Sequence, residues 1–440
     1  MTTTDAATAP ATTRGPARPL GVALIGYEFM GRAHSQAWRN VNAIFETPPV
    51  ERRVIVGRDE AKVRAAATRL DWQEWATDWK DVISREDVDI VDIATPGFLH
   101  AEIAIAALEA GKHVLCEKPL ANGLDEAEAM VLAAGNAQER GQIAALGHTY
   151  RRVPALALAK RYVEDGKLGR LLQVRAAYLQ DFLTDGQAPM TWRLRKETAG
   201  SGALGDIGSH AIDQIRWLTG QEVTSVRGRL ETLVPRRPGP DGVEDVTVDD
   251  AAWATLELDG GAIASVEASR MAQGRKNQLT VELYGTEGSL SFDLERLDEL
   301  WYYDATAPAG GQGFTRILVT EPEHPYLGGW WPSGHILGWE NAFTHQAADL
   351  LVAIAGGQAP ADASGGASIV PATGSDVPDE QTPSDQRRRS GITPATTEAP
   401  GSFSPDFSDG LALQRILEAI ITSDGRDGGS VKVAGPTRTD

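Results

Sequence analysis

A single cysteine, Cys116, stands in a chain of 440 residues. One thiol excludes an intrachain disulfide and any multi-cysteine metal centre, and it fits a reducing compartment. Long apolar runs are missing too, since nothing approaches the ~20 residues that a membrane span needs. The first 18 residues are mostly Thr, Ala and Pro with no apolar stretch, so they do not read as a secretory leader. Positive charge is scarce: 42 Lys plus Arg against 61 Asp plus Glu leaves a formal net charge of −19. Such a chain has no general attraction for nucleic-acid phosphates or anionic lipid. The expectation is a soluble, cytoplasmic protein with neither nucleic acid nor membrane as a partner.

What is present falls into blocks. Residues 1–18 have little to bury and read as a disordered tail. From there to 147, short apolar runs alternate with helical stretches: Val22–Ile25, Val54–Val56, Ile90–Ile93, His113–Cys116 and Ile143–Leu146. That rhythm predicts a doubly wound parallel sheet, a nucleotide-binding domain over 19–147. Beyond 148 the β-like runs lengthen, with hairpin signals at Asp259-Gly260-Gly261 and Gly285-Thr286-Glu287-Gly288. They predict a second, α+β domain over 148–440 with a large, mostly antiparallel sheet. Residues 357–404 carry Ala, Pro, Ser, Gly and Thr with very few large apolar side chains, and read as a disordered insertion between two helices of the fold.

Three constellations carry chemistry. After the first strand comes Gly26-Tyr27-Glu28-Phe29-Met30-Gly31, a turn of the kind that lets a pyrophosphate approach a helix N-terminus. Glu28 stands where the middle glycine of the fingerprint belongs. After the second strand come Arg58, which either holds a 2′-phosphate or packs on adenine, and Asp59, which either binds a ribose or caps the next helix. The fourth strand ends in Glu117-Lys118-Pro119, at the mouth of the cleft. Asp206 and His210 are four apart, so on a helix they share a face, and a histidine beside a carboxylate can take a proton from an alcohol. The same pair could hold a metal, but no further ligands are evident and no metal is expected. Aromatic and basic residues that suit a polyol cleft are Tyr150, Arg152, Trp192, Arg193 and His335.

Taken in order, the turn Gly26–His34, the strand end Ala94-Thr95-Pro96 with His100, the Glu117-Lys118-Pro119 triplet and Gly202–His210 resemble the Gfo/Idh/MocA oxidoreductases, and most of all their sugar and glycoside 3-dehydrogenases of the levoglucosan dehydrogenase kind. The resemblance covers about 20–356 and 405–433. It implies an NAD(P)-dependent enzyme that oxidises a secondary hydroxyl of a sugar, anhydrosugar, glycoside or inositol, with NAD favoured and NADP not excluded. It puts Lys118, Asp206 and His210 in the catalytic positions. The cofactor would lie against Gly26, Tyr27, Phe29, Met30, Gly31, Arg58, Thr95, Pro96, His100, Glu117 and Lys118. The substrate would meet Lys118, Tyr150, Arg152, Trp192, Arg193, Asp206, His210 and His335. It also implies a homo-oligomer, a dimer or tetramer formed through the C-terminal sheet. Gly97 departs from the family pattern, where Asn often follows the Thr-Pro pair. Two other functions stand beside oxidation: glycoside processing through a transient 3-keto intermediate with bound NAD, and a catalytically silent nucleotide- or sugar-binding member.

Overall fold

The computed structural model describes residues 18–356 and 403–435. Six parallel strands form the first sheet: β1 Leu20–Ile25, β2 Val50–Val56, β3 Glu74–Ala76, β4 Ile90–Ile93, β5 His113–Glu117 and β6 Ala144–Gly147. Their order is β3-β2-β1-β4-β5-β6. The central strands are apolar because helices cover both faces. These are α1 Phe29–Ile44, α2 Glu60–Leu70, α3 Trp79–Ile83, α4 His100–Glu109 and α5 Leu124–Gln138. The chain leaves β1 toward β2 on one side and returns through β4 on the other. A crevice therefore opens beyond the carboxyl ends of β1 and β4.

After α6 Pro154–Glu164, the second sheet takes over. Its strands are β7 Leu171–Leu179, β8 Val223–Glu231, β11 Ala251–Leu258, β12 Ile263–Ser269, β13 Gln278–Gly285, β14 Gly288–Asp293, β15 Glu299–Asp304, β16 Phe314–Leu318 and β17 Val431–Lys432, while β9 Arg236–Gly239 and β10 Gly242–Asp245 form a separate hairpin. All neighbours in the large sheet are antiparallel except β7 and β12. Both expected hairpin turns connect paired strands. Alternation sorts the faces. In β11, Ala252, Ala254 and Leu256 are buried against helices while Trp253, Thr255 and Glu257 face outward. The covering helices include α8 Ser209–Thr219, which follows the short α7 Lys196–Ala199 and one π-helical turn, Leu204–Gly208.

Two late helices depart from the expected division at residue 148. Helix α9, Asn341–Gly356, places Phe343, Ala347, Leu350, Leu351 and Ile354 in the core of the first sheet, beside α1. Helix α10, Phe407–Asp424, puts Phe407 and Leu411 in the first lobe and Leu413, Ile416, Leu417 and Ile420 in the second. Three residues correct the expected disorder at its edges. Arg18 grips Asp89 with two bonds of 2.6 and 2.7 Å. Phe403 is buried in the first lobe, and Ser404 accepts a bond from Arg151. Residues 1–17 and 357–402, which hold the rest of those two expectations, lie outside the described residues. Among the described residues no helix is long and apolar enough to cross a membrane.

Candidate active site

The crevice floor is built on two glycines. Gly26 ends β1 at φ +113°, and a Cβ there would sit 2.5 Å from the Ala94 carbonyl oxygen. A Cβ on Gly31 would lie 2.2 Å from the Gly26 oxygen, so helix and strand meet closer than any side chain permits. Glu28 occupies the N-cap of α1 with its carboxylate exposed and bonded to no backbone N–H. Phe29 is half exposed and stacks on Trp339 at 5.4 Å, and Tyr27 covers Gly57. Met30 packs partly buried beside this turn. Across the crevice, before Pro96, the Thr95 hydroxyl oxygen is buried without a hydrogen-bond partner. The glycine cradle, the switch in strand order and that unsatisfied hydroxyl fit a dinucleotide. Asp59 caps α2 by accepting the Lys62 N–H at 3.1 Å, while Arg58 is exposed and bonds no described residue.

Two residues expected to touch the cofactor, His100 and Glu117, are buried in the first lobe. The His100 ring lies between the carbonyl oxygens of Thr95 (3.0 Å) and Pro119 (2.9 Å), tying the loops after β4 and β5 together. Burial holds this ring below its ordinary pKa. Glu117 lies 3.0 Å from His34 Nε2 on α1. Burial is the largest single influence and would raise this carboxyl, but the bond to His34 and the positive charge of His34 and Lys118 together outweigh it and keep Glu117 below the usual carboxylate range.

The loop after β5 carries Lys118 to the second lobe. Its Nζ donates to the Asp206 backbone oxygen at 2.7 Å and stands 3.5 Å from the Asp206 carboxylate. The π-helical turn that presents Asp206 is fixed from behind by Asp249, whose carboxylate accepts the N–H groups of Gly202 and Leu204 at 2.7 and 2.8 Å. Buried Arg270 bonds the Asp249 carbonyl oxygen at 2.8 Å and approaches Asp206 at 3.7 Å. Burial works to raise Asp206, but Lys118, Arg270 and Arg193 hold it below its ordinary value. His210 follows one turn later. Its ring stands 4.7 Å from Tyr150, 5.4 Å from His148 and 5.8 Å from Tyr178, and neither nitrogen bonds a described residue. Burial, helped by Lys118 and His148, pushes it well below the usual histidine pKa. The result is a neutral imidazole with unoccupied nitrogens beside an ammonium and a carboxylate, a set able to take and return a proton.

The expected substrate residues divide. Tyr150 belongs to the wall: its hydroxyl meets that of Tyr178 at 2.7 Å and accepts Trp339 Nε1–H at 3.1 Å, and Tyr178 donates to Asn277. The Arg193 guanidinium lies 4.4 Å over Trp192, exposed and close enough to influence Asp206. Arg152 is a correction. It is buried, its Nε bonds Asp349 at 3.1 Å, it reaches the Ser404 carbonyl oxygen, and it covers Phe403. Its Nε and Nη2 hold α9 and the Ser404 carbonyl, while Nη1 is buried with no hydrogen-bond partner among the described residues. His335 lies on an exposed loop, and among the described residues its ring bonds the Pro332 oxygen and none of the cluster. Sequence reasoning overlooked Tyr178, Asn277, Arg270, Asp249 and Trp339. Tyr178 alone carried a signal, an inward position on an alternating strand.

Two family models match the chain: an oxidoreductase family with an NAD-binding Rossmann fold over 20–147, and the GFO/IDH/MocA C-terminal domain over 156–291. The levoglucosan dehydrogenase of Pseudarthrobacter phenanthrenivorans is 42% identical over 421 residues, spanning 92% of this chain and 96% of that protein. Among solved structures, an oxidoreductase domain protein from Kribbella flavida is similar with a TM-score of 0.84 and 47% identity, covering 95% of this chain and all of that one. A levoglucosan dehydrogenase complexed with NADH and levoglucosan gives 0.82 and 38% over the same shares.

Proposed function

The chain belongs to the Gfo/Idh/MocA oxidoreductase family, and from that premise we propose that it is an NAD-dependent dehydrogenase of a sugar, anhydrosugar or inositol in which Lys118, Asp206 and His210 act on one secondary hydroxyl. Bound NAD supplies the acceptor for the hydride that leaves the substrate carbon. The observation that carries the reading is the neutral His210 ring with unbonded nitrogens, within one helical turn of Asp206 and its Lys118 partner. His210 takes the hydroxyl proton on a ring nitrogen. Lys118 Nζ donates to the same oxygen and stabilises charge as it develops. Asp206, held ionised, orients the ammonium. Trp192 and Arg193 offer an apolar face and a hydrogen-bonding fork to the rest of the ring.

The protein is also proposed to be a cytoplasmic homo-oligomer. Its one thiol is buried, and the outward face of the large sheet, uncovered by any described residue, carries exposed Trp253, Ile263, Phe314 and Leu318. The function is tested by incubating the protein with NAD and a panel of levoglucosan, inositols and glycosides, following NADH absorbance and aglycone release together. NADH formation without aglycone release is expected. Release of aglycone without net NADH would favour glycoside processing, and neither signal with any member would favour the silent binder. Lys118→Ala and His210→Ala should each lower kcat by at least about a thousandfold while NADH binding survives.

A further inference from the structure

Beneath the Lys118 loop, two carboxylates from neighbouring strands face a single imidazole. Asp92 on β4 and Glu117 on β5 point to the α1 side of the sheet, 0% and 4% exposed. His34, one turn into α1 and equally buried, lies 2.9 Å from both Asp92 oxygens through Nδ1 and 3.0 Å from Glu117 through Nε2. Trp38, a turn further on, donates Nε1–H to Asp92 at 2.6 Å. An imidazole can bond acceptors at both nitrogens only when both are protonated. Gly147 makes room for the arrangement, since a Cβ there would stand 2.8 Å from a Glu117 oxygen.

We infer that His34 is a positioning residue for the reaction: an imidazolium clamped between Asp92 and Glu117 that fixes the strand end carrying Lys118. The inference rests on the dehydrogenase reading above. Charges alternate from the core to the site, Asp92, His34, Glu117, Lys118, Asp206, Arg270, with successive side chains paired except at Glu117, which instead accepts the Lys118 backbone N–H at 3.3 Å. Removing the cation leaves two buried carboxylates without a counter-charge, so one must take a proton or turn away. Either event withdraws the anion behind Lys118 and frees the backbone that aims it. Burial opposes charge on His34, yet the two carboxylates push the ring up to about 10. The groups facing it from surrounding elements are Asp92, Glu117, Trp38 and the Phe343 ring of α9, with Cys116, His100 and Lys118 around Glu117. Burial pushes Cys116 up and His100 down; the oxygens beside the His100 ring are neutral carbonyls, so one accepts its single N–H and no bonded carboxylate holds a second proton there, unlike at His34.

The test has an arm that needs no turnover. In ¹⁵N-histidine-labelled protein, one ring of the eight histidines should remain doubly protonated at about pH 8.5 and vanish in His34→Gln. His34→Gln should lower kcat roughly ten- to a hundredfold while NADH binding stays within about threefold. The double variant His34→Gln/Asp92→Asn restores the net charge and should recover most of the lost kcat, whereas a packing role predicts that two core changes do more harm than one. All rings neutral at that pH, kcat of His34→Gln within about twofold of the unaltered protein, or no recovery in the double variant would overturn the inference. If the unaltered protein oxidises no polyol, the dehydrogenase reading fails by itself, and the spectrum alone then decides the clamp.

Discussion

Acidification from about pH 7.5 to pH 4 should cost the folded state about 3 kcal/mol at one side chain, His345. This residue lies fully buried on α9, where Nε2 accepts the Trp330 indole N–H at 2.8 Å and Nδ1 lies 2.8 Å from the Arg152 carbonyl oxygen. Those partners fix the neutral tautomer with the proton on Nδ1. A second proton would face the indole N–H directly. Burial is the main cause that lowers its pKa to about 4. The unfolded chain titrates near 6.5, so between the two values the unfolded state binds a proton that the folded state refuses. Stability is therefore fully present above about pH 6.5 and is lost as pH falls toward 4, by about 2 kcal/mol at pH 5 and about 3 kcal/mol at pH 4. The assay is urea unfolding at several pH values for the native sequence and for His345→Gln, which keeps a donor and an acceptor but does not titrate. The variant starts less stable, yet its stability should fall less steeply by those amounts. Parallel pH dependences, within about 0.5 kcal/mol, would refute the reasoning.

Further outcomes follow from the same contacts. Gly31→Ala puts a methyl 2.2 Å from the Gly26 oxygen, and should weaken NADH binding about tenfold or more by fluorescence titration, because α1 must retreat from the turn. Arg152→Met leaves the partly buried Asp349 without its cation, and should cost about 2–3 kcal/mol in urea unfolding while kcat of the folded fraction changes little. NAD should give the higher kcat/KM: Asp59 and Glu28 both bring negative charge to the nucleotide end, and a gain for NADP that Arg58→Ala reverses would show that Arg58 reads a 2′-phosphate. Trp253→Glu places a charge on the open sheet face, and should reduce the mass measured by light scattering to that of a monomer.

Local signals made much of this legible in the sequence. Gly26 and Gly31 sit where only glycine fits, and strand ends in an open sheet point to a cleft, which placed Lys118. Asp206 and His210 announced themselves by spacing, although the π-helical turn that presents Asp206 has no sequence mark beyond its two glycines. Two of the errors share one cause, partners far away in the chain. Arg152 has the composition of a cleft cation, and nothing nearby reveals that Asp349 and Ser404 consume it. Glu117 looks like part of a surface triplet until His34, 83 residues earlier, is folded against it. His100 differs: it lies between nearby backbone oxygens, of Thr95 and Pro119, that any residue could provide.

The placement of α10 bears on how the chain emerges from the ribosome. Its Phe407 and Leu411 complete the hydrophobic interior of a lobe whose six strands are synthesised before residue 148, and its Ile416 to Ile420 seal the other. Until that last helix is made, both lobes carry an apolar seam in contact with water, roughly 1.5–3 kcal/mol for each large side chain left uncovered. Early domain-by-domain completion is thus denied to this protein. A nascent chain stalled before residue 407 presents two sticky grooves and is a natural client for chaperones, whereas the finished chain has its two halves riveted by one element. Truncations that remove the C-terminal thirty-odd residues should accordingly yield aggregate rather than an isolated nucleotide-binding lobe.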